Sequence, residues 1–269
     1  MPAITRLNYT RNHTLMKIAI SGKGGVGKTL LAAHLALAFK KAGYSVIAID
    51  ADPDTNLAST LNFPDAEKIV PISEMKELVD ERTGAAGGFF KLNPRVDDIP
   101  EKYSSQHEGI RLLVMGGLRK GGSGCYCGEN SLLSSLLAHL LIARDEVVIM
   151  DMSAGIEHLS RGTARSVDSL LMVIEPGRAS LETARRIEKL AAELGIKKIA
   201  AVGNKIHDVG EEKYIKESLK GVEVLGFIPY DEALTKAELE GRPAISATPA
   251  IAKEAASICI KLAAETGLA

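Results

Sequence analysis

The sequence predicts an α/β fold: a doubly wound, mostly parallel sheet flanked by helices, in a single domain. Three observations predict it. Short, nearly continuous apolar runs alternate with longer helical stretches, as expected of strands buried on both faces. The first run leads into a glycine-rich loop that opens a helix. Two later runs end in a carboxylate, at Asp50 and Asp151, and in such a sheet the carboxyl ends of the strands face the ligand crevice.

Strands are predicted over 17–21, 45–50, 110–115, 146–151, 169–174, 199–204 and 223–228. Helices are predicted over 28–42, with a stop at Gly43, and over 130–144, 180–194, 211–219 and 249–265. Residues 62–108 hold Pro64, Pro71, Pro94, Pro100 and the Gly87-Gly88 pair, and read as an irregular insertion with a short helix over 73–82. The insertion belongs to one domain spanning 16–269. Residues 1–15 lie outside the pattern, without the apolar core of a secretory signal. They read as a disordered extension, or as sequence ahead of a true start at Met16.

With 46% hydrophobic and 25% charged residues the chain has material for a full core, filled by Ala, Leu, Ile and Val because aromatics are only 4%. That scarcity argues against modules that stack bases on exposed rings. The 33 basic and 34 acidic residues leave no excess to neutralise a nucleic-acid backbone. No apolar run reaches the roughly 18 residues that span a bilayer. Three cysteines, Cys125, Cys127 and Cys259, do not make a disulfide framework and fit a reducing cytoplasm.

Gly22-Lys23-Gly24-Gly25-Val26-Gly27-Lys28-Thr29 matches G-x-x-x-x-G-K-[ST] between a strand and a helix. The glycines let backbone N–H groups converge on phosphate oxygens, and the helix N-terminus adds positive potential. Lys28 is expected to reach the β- and γ-phosphates of ATP, and the Thr29 hydroxyl to ligate Mg²⁺. Lys23 is either a solvated loop lysine or a cation that crosses a two-fold axis to a partner's phosphates. The segment resembles the deviant Walker A signature of MinD and ParA positioning ATPases, the nitrogenase iron protein and metal-cluster chaperones. In that group the equivalent lysine acts across a dimer interface. Leu30 stands where those proteins often carry a second hydroxyl, so only its backbone amide can serve the α-phosphate.

The resemblance makes Asp52, in Asp50-Ala51-Asp52-Pro53-Asp54, the residue that orients or activates the attacking water, with Asp50 helping to organise the metal shell. An acidic turn is the plainer reading. Val147-Val148-Ile149-Met150-Asp151 is a buried strand ending in a Walker B carboxylate, expected to hold Mg²⁺ through water. The Gly155 amide that follows could sense the γ-phosphate and be freed on hydrolysis. Glu157 and His158 either approach the partner's nucleotide or are solvated. Asn204-Lys205 ends a later strand; an Asn amide pairs with both edges of adenine, as related ATPases use it, and Pro229 resembles their second adenine wall.

In Gly121-Gly122-Ser123-Gly124-Cys125-Tyr126-Cys127-Gly128-Glu129-Asn130 two thiols stand one residue apart, Cys127 near a helix start that would lower its thiol pKa. Thiolates suit nickel, zinc or copper(I). A four-ligand ion needs two more, and a symmetric dimer supplies them. A structural or redox pair is the alternative. Cys259, in an Ala-rich helix, reads as a small core residue.

Together these residues, with Asp151-Met152-Ser153-Ala154-Gly155-Ile156-Glu157-His158-Leu159-Ser160-Arg161-Gly162-Thr163, make the chain resemble the CooC family, ATPases that mature nickel-containing carbon monoxide dehydrogenase. The resemblance implies a cytoplasmic homodimer closed by ATP and Mg²⁺. It also implies one Ni²⁺ or Zn²⁺ held between two Cys125-x-Cys127 pairs, with carbon monoxide dehydrogenase or acetyl-CoA synthase as client. Two other classes compete. A MinD- or ParA-type positioning ATPase needs a basic membrane or DNA surface, which the tail with Lys253 and Lys261 against Glu254 and Glu265 does not supply. A nitrogenase-iron-protein-like reductase needs cluster cysteines far apart in sequence, whereas both lie in one loop here.

Overall fold

The computed structural model describes residues 16–84, 91–116, 127–142, 146–156 and 159–265. The proposed N-terminal extension, Cys125, Glu157 and His158 lie outside the described residues. In chain order the elements are β1 (Lys17–Gly22), α1 (Lys28–Lys41), β2 (Val46–Ala51), α2 (Leu57–Thr60), α3 (Lys76–Thr83), α4 (Ile99–Tyr103), β3 (Ser105–His107), β4 (Ile110–Val114), α5 (Cys127–Ile142) and β5 (Val147–Met152). They continue with α6 (Arg161–Ala164), β6 (Ser169–Ile174), α7 (Arg178–Leu194), β7 (Ile199–Ile206), α8 (Val209–Ser218), β8 (Glu223–Pro229), α9 (Glu232–Leu239), α10 (Ala244–Ala247) and α11 (Pro249–Glu265).

One sheet runs β3-β4-β2-β5-β1-β6-β7-β8. Every neighbouring pair is parallel except β3 with β4. The five strands β1, β2, β4, β5 and β6 are apolar almost throughout, because helices cover both faces. Successive side chains point to opposite faces. In β2, Ile47 and Ile49 join the layer with α3, α5 and α7, while Val46 and Ala48 join the layer with α1 and α11. Each Leu or Ile fully withdrawn from water contributes roughly 1.5–3 kcal/mol.

Helix α1 is buried on most of its circumference, with Leu30, Leu31, Ala32, Ala33, Leu35, Ala36 and Phe39 inside. Its alanines allow close approach to the sheet while α11 covers the outside. Helix α7 is amphipathic, burying Leu181, Ala184, Ile187 and Ala191 at spacings of three and four, and stops at Gly195 in the left-handed region at φ 83°.

The structure corrects several boundaries. The 62–108 segment is not irregular throughout. Beyond two short 3-10 turns it carries α3, α4 and the antiparallel edge strand β3. Its Ile72, Leu78, Val79, Val96 and Ile99 are core residues. Strand β3 returns to β4 through Glu108-Gly109, both at positive φ (47° and 78°), the conformation of a two-residue primed hairpin turn. Helix α8 begins at Val209 rather than 211, because the Asp208 side chain caps it by accepting from the Glu211 N–H at 3.0 Å. Helix α5 starts at Cys127, three residues ahead of expectation.

Candidate nucleotide site

β1 ends at Gly22, and the chain turns through the glycine loop into the N-terminus of α1. Gly27 precedes that helix at φ 94°, with no side-chain cap and no acidic residue in the first turn. The first N–H groups are thus left for an external anion. A Cβ on Gly27 would run into the Asn204 amide, so the loop can lie against β7 only with glycine there. Gly24 and Gly25 face open space. Val26 is buried, and its carbonyl accepts from Asn204 Nδ2 at 2.7 Å. Lys28 is 7% exposed, and its Nζ folds back to the Lys23 carbonyl at a long 3.5 Å. A phosphate oxygen would satisfy that ammonium better.

Beneath the loop, β2 and β5 place Asp50 directly beside Asp151 in register. Both are buried, at 0% and 1% exposure. Asp50 accepts from the Asp52 N–H at 3.2 Å and the Leu57 N–H at 2.9 Å, tying the strand end to α2. Burial still pushes its pKa up to about 6. Burial pushes Asp151 further, to about 7, with the Asp50 charge adding to the rise. The Thr29 hydroxyl favours the charged form of Asp151. Even so, neither Asp151 oxygen has a partner at full hydrogen-bonding geometry. A buried carboxylate with both oxygens unmatched beside a loop threonine is a donor set that fits a hard divalent cation such as Mg²⁺. Asp52 is half-buried, and its Oδ1 accepts from the Asp54 N–H at 3.0 Å.

The opposite wall comes from the ends of β7 and β8. Lys205 stands in the left-handed region at φ 59° and donates to the Gly25 carbonyl at 2.7 Å. Beyond Pro229, Tyr230 stacks on His207 with ring centroids 4.6 Å apart. Between the walls lies a cleft of about 1050 Å³. Gly24, Gly25, Gly27, Lys28, Thr29, Leu30, Asp52, Asn204, Lys205 and Pro229 line it. Leu30 keeps its side chain in the core, so it offers the cleft little beyond backbone.

Not every expected residue faces this cleft. The Gly155 N–H donates to Ser21 Oγ at 3.2 Å and to the Ser153 carbonyl at 2.7 Å, while the Ser21 hydroxyl donates back to the Gly155 carbonyl at 2.8 Å. Lys23 pairs within its own chain, with Glu175 at 3.2 Å. Ser21 and Glu175 belong to no sequence motif that marks a nucleotide site, and only the fold brings them to it. Of the cysteine pair, Cys127 opens α5, and Cys125 lies outside the described residues. Among the described residues no three His, Cys, Asp or Glu side chains gather as a metal site. Cys259 is buried, and burial pushes its thiol up to about 11, which leaves it an inert core residue. No helix among the described residues is long and apolar enough to cross a membrane.

A phosphate loop at the head of a parallel sheet, with buried carboxylates below and an Asn-Lys wall opposite, defines a P-loop nucleotide-binding protein. Residues 17–244 match the family described as the CobQ/CobB/MinD/ParA nucleotide binding domain. The chain is 50% identical over 235 residues to an uncharacterized ATP-binding protein of Methanocaldococcus jannaschii, covering 85% of this chain and 90% of that one. It is 46% identical over 258 residues to the carbon monoxide dehydrogenase accessory protein CooC of Rhodospirillum rubrum, covering 94% and 98%. Among solved structures it is similar to the septum site-determining protein MinD of Pyrococcus horikoshii complexed with Mg-ADP. That match has TM-score 0.65 and 21% identity, over 95% of this chain and 98% of that one. MinD of Aquifex aeolicus gives TM-score 0.63 at 23% identity, over 93% and 97%. The chain belongs to the CobQ/CobB/MinD/ParA family and, within it, is an ATPase of the CooC type.

Proposed function

We propose that this ATPase handles nickel during maturation of carbon monoxide dehydrogenase, or of acetyl-CoA synthase, by coupling ATP binding and hydrolysis to a metal site shared between two copies of the chain. The observation that carries the reading is 46% identity across nearly the whole length of a protein named as a carbon monoxide dehydrogenase accessory protein, in a chain that also holds Cys125-x-Cys127. The likeness to MinD, at 21–23% identity, extends to the fold alone.

In this reading Lys28 binds the β- and γ-phosphates, and the loop amides from Gly24 to Leu30 surround the phosphate chain. Asn204 accepts from the adenine amino group through its amide oxygen while its Nδ2 holds Val26, and Lys205 and Pro229 complete that wall. Thr29 and Asp151 would hold Mg²⁺, which when bound would supply neutralising charge to the phosphates. Asp52 orients the attacking water and takes its proton as the new P–O bond forms and the bond to the β-phosphate oxygen breaks. The Gly155 amide leaves Ser21 to meet the γ-phosphate. Lys23 reaches the phosphates of the partner subunit, and the dimer brings four thiolates together around Ni²⁺ or Zn²⁺.

The test is metal analysis of anaerobically purified protein. One nickel or zinc per two chains is expected. Cys125→Ala with Cys127→Ala should abolish it while ATP still binds. Unchanged metal content in that variant would rule out the site.

A further inference from the structure

Glu175 stands one residue beyond β6, in no motif that marks the nucleotide site. Its backbone is fixed, because its N–H donates at 3.1 Å to the hydroxyl of buried Ser180. Its two carboxylate oxygens take one ammonium each. Oε1 lies 3.2 Å from Lys23 Nζ, and Oε2 lies 3.4 Å from Lys205 Nζ. The two lysines are not held equally. Lys205 has a second tie, to the Gly25 carbonyl at 2.7 Å, whereas among the described residues the Lys23 ammonium is tied to Glu175 alone. Both pairs are partly solvated, with side-chain exposures of 41% for each lysine and 25% for Glu175.

We propose that Glu175 is a positioning residue that parks Lys23 on its own subunit until a partner's phosphates compete for it. This rests on the reading that Lys23 acts across the dimer. The parking contact is weak enough to be given up: a partly exposed ion pair shifts an equilibrium by only about two- to fivefold, far less than a polyphosphate can offset. It is strong enough to oppose premature pairing, because two copies must each release one lysine and the two factors multiply. Lys205 stays behind on Gly25, so the loop keeps its shape when Lys23 leaves.

The consequence is a gain of assembly on removing a charge outside the phosphate loop. In sedimentation velocity with a non-hydrolysable ATP analogue and Mg²⁺, Glu175→Gln should form dimer at about four- to twenty-fivefold lower protein concentration than the wild type. Glu175→Asp, which keeps the charge on a shorter arm, should fall nearer the wild type. In nucleotide-free protein, Lys23 should be acylated faster by an amine-reactive reagent in Glu175→Gln, while lysines distant from Glu175 are unchanged; a purely structural role would not single out Lys23. An unshifted or weaker dimer in Glu175→Gln, or unchanged Lys23 acylation, overturns the proposal. Lys23→Gln is measured in parallel. If it dimerises like the wild type, the cross-subunit role of Lys23 fails. If it does not dimerise while Glu175→Gln matches the wild type, the parking role alone fails.

Discussion

Asp50 and Asp151 face each other across adjacent parallel strands, two buried carboxylates in register beneath the phosphate loop. They differ in what their oxygens meet. Asp50 is capped by two backbone N–H groups, whereas both oxygens of Asp151 lack a full hydrogen bond. One carboxylate shapes the loop that follows it, and the other keeps two buried oxygens that a cation would satisfy.

The nucleotide-free protein should therefore be stabilised by removing the Asp151 charge. The pKa of Asp151 in the folded chain, about 7, lies above its ordinary 3.8. Between those values the native state holds a proton that the unfolded chain has lost, so stability falls as pH rises through this window. Asp151→Asn should raise the melting temperature at pH 8, by about 2–4 °C for each kcal/mol relieved, and change it little at pH 4. The same variant should lose Mg²⁺-dependent ATP hydrolysis. Calorimetry at the two pH values, with a phosphate-release assay, checks both.

Asn204 has a structural duty besides any contact with adenine, since its Nδ2 holds the Val26 carbonyl against β7. Asn204→Ala should leave that carbonyl short of a partner, costing about 1–3 kcal/mol of stability. It should also weaken ATP binding by about tenfold or more if the lost hydrogen bond to the base adds to the lost loop support. Urea unfolding and calorimetric titration separate the two effects.

Gly27→Ala should be severe. The position combines φ 94° with a Cβ path blocked by Asn204, so the loop must move. A cost of about 1–3 kcal/mol is expected from the backbone alone, with nucleotide binding reduced further because the displaced amides no longer converge. Gly24→Ala, at a loop glycine with open space around it, should be milder in thermal stability.

The phosphate loop and the strand-end carboxylates were legible in the sequence because few residue types can do that chemistry at that spacing. Other features were hidden for physical reasons. Glu175 matters only because the fold brings to it Lys23, 152 positions away, and Lys205, 30 positions away. Ser21 stands next to last in an apolar strand, and nothing local says that its hydroxyl meets Gly155. Strand β3 is three polar residues long, and its pairing with β4 follows from the Glu108-Gly109 turn rather than from alternation. The capping pair Asp208 and Glu211 was readable in principle, being the side chain and the N3 residue of a helix start.

Ser21→Ala should loosen the segment after β5, since Ser21 both donates to and accepts from Gly155. Faster amide exchange at residues 153–156 without nucleotide is expected, with protection restored by ATP. No change in exchange would show that the serine does not hold this loop.

The most direct measurement is the solution mass of the purified chain at saturating ATP and Mg²⁺, beside Lys23→Gln. The wild type should sediment as a dimer only with nucleotide, and Lys23→Gln should stay a monomer while still binding ATP. A wild-type protein that remains monomeric under those conditions, or a Lys23→Gln variant that dimerises equally well, would contradict the shared site between two subunits.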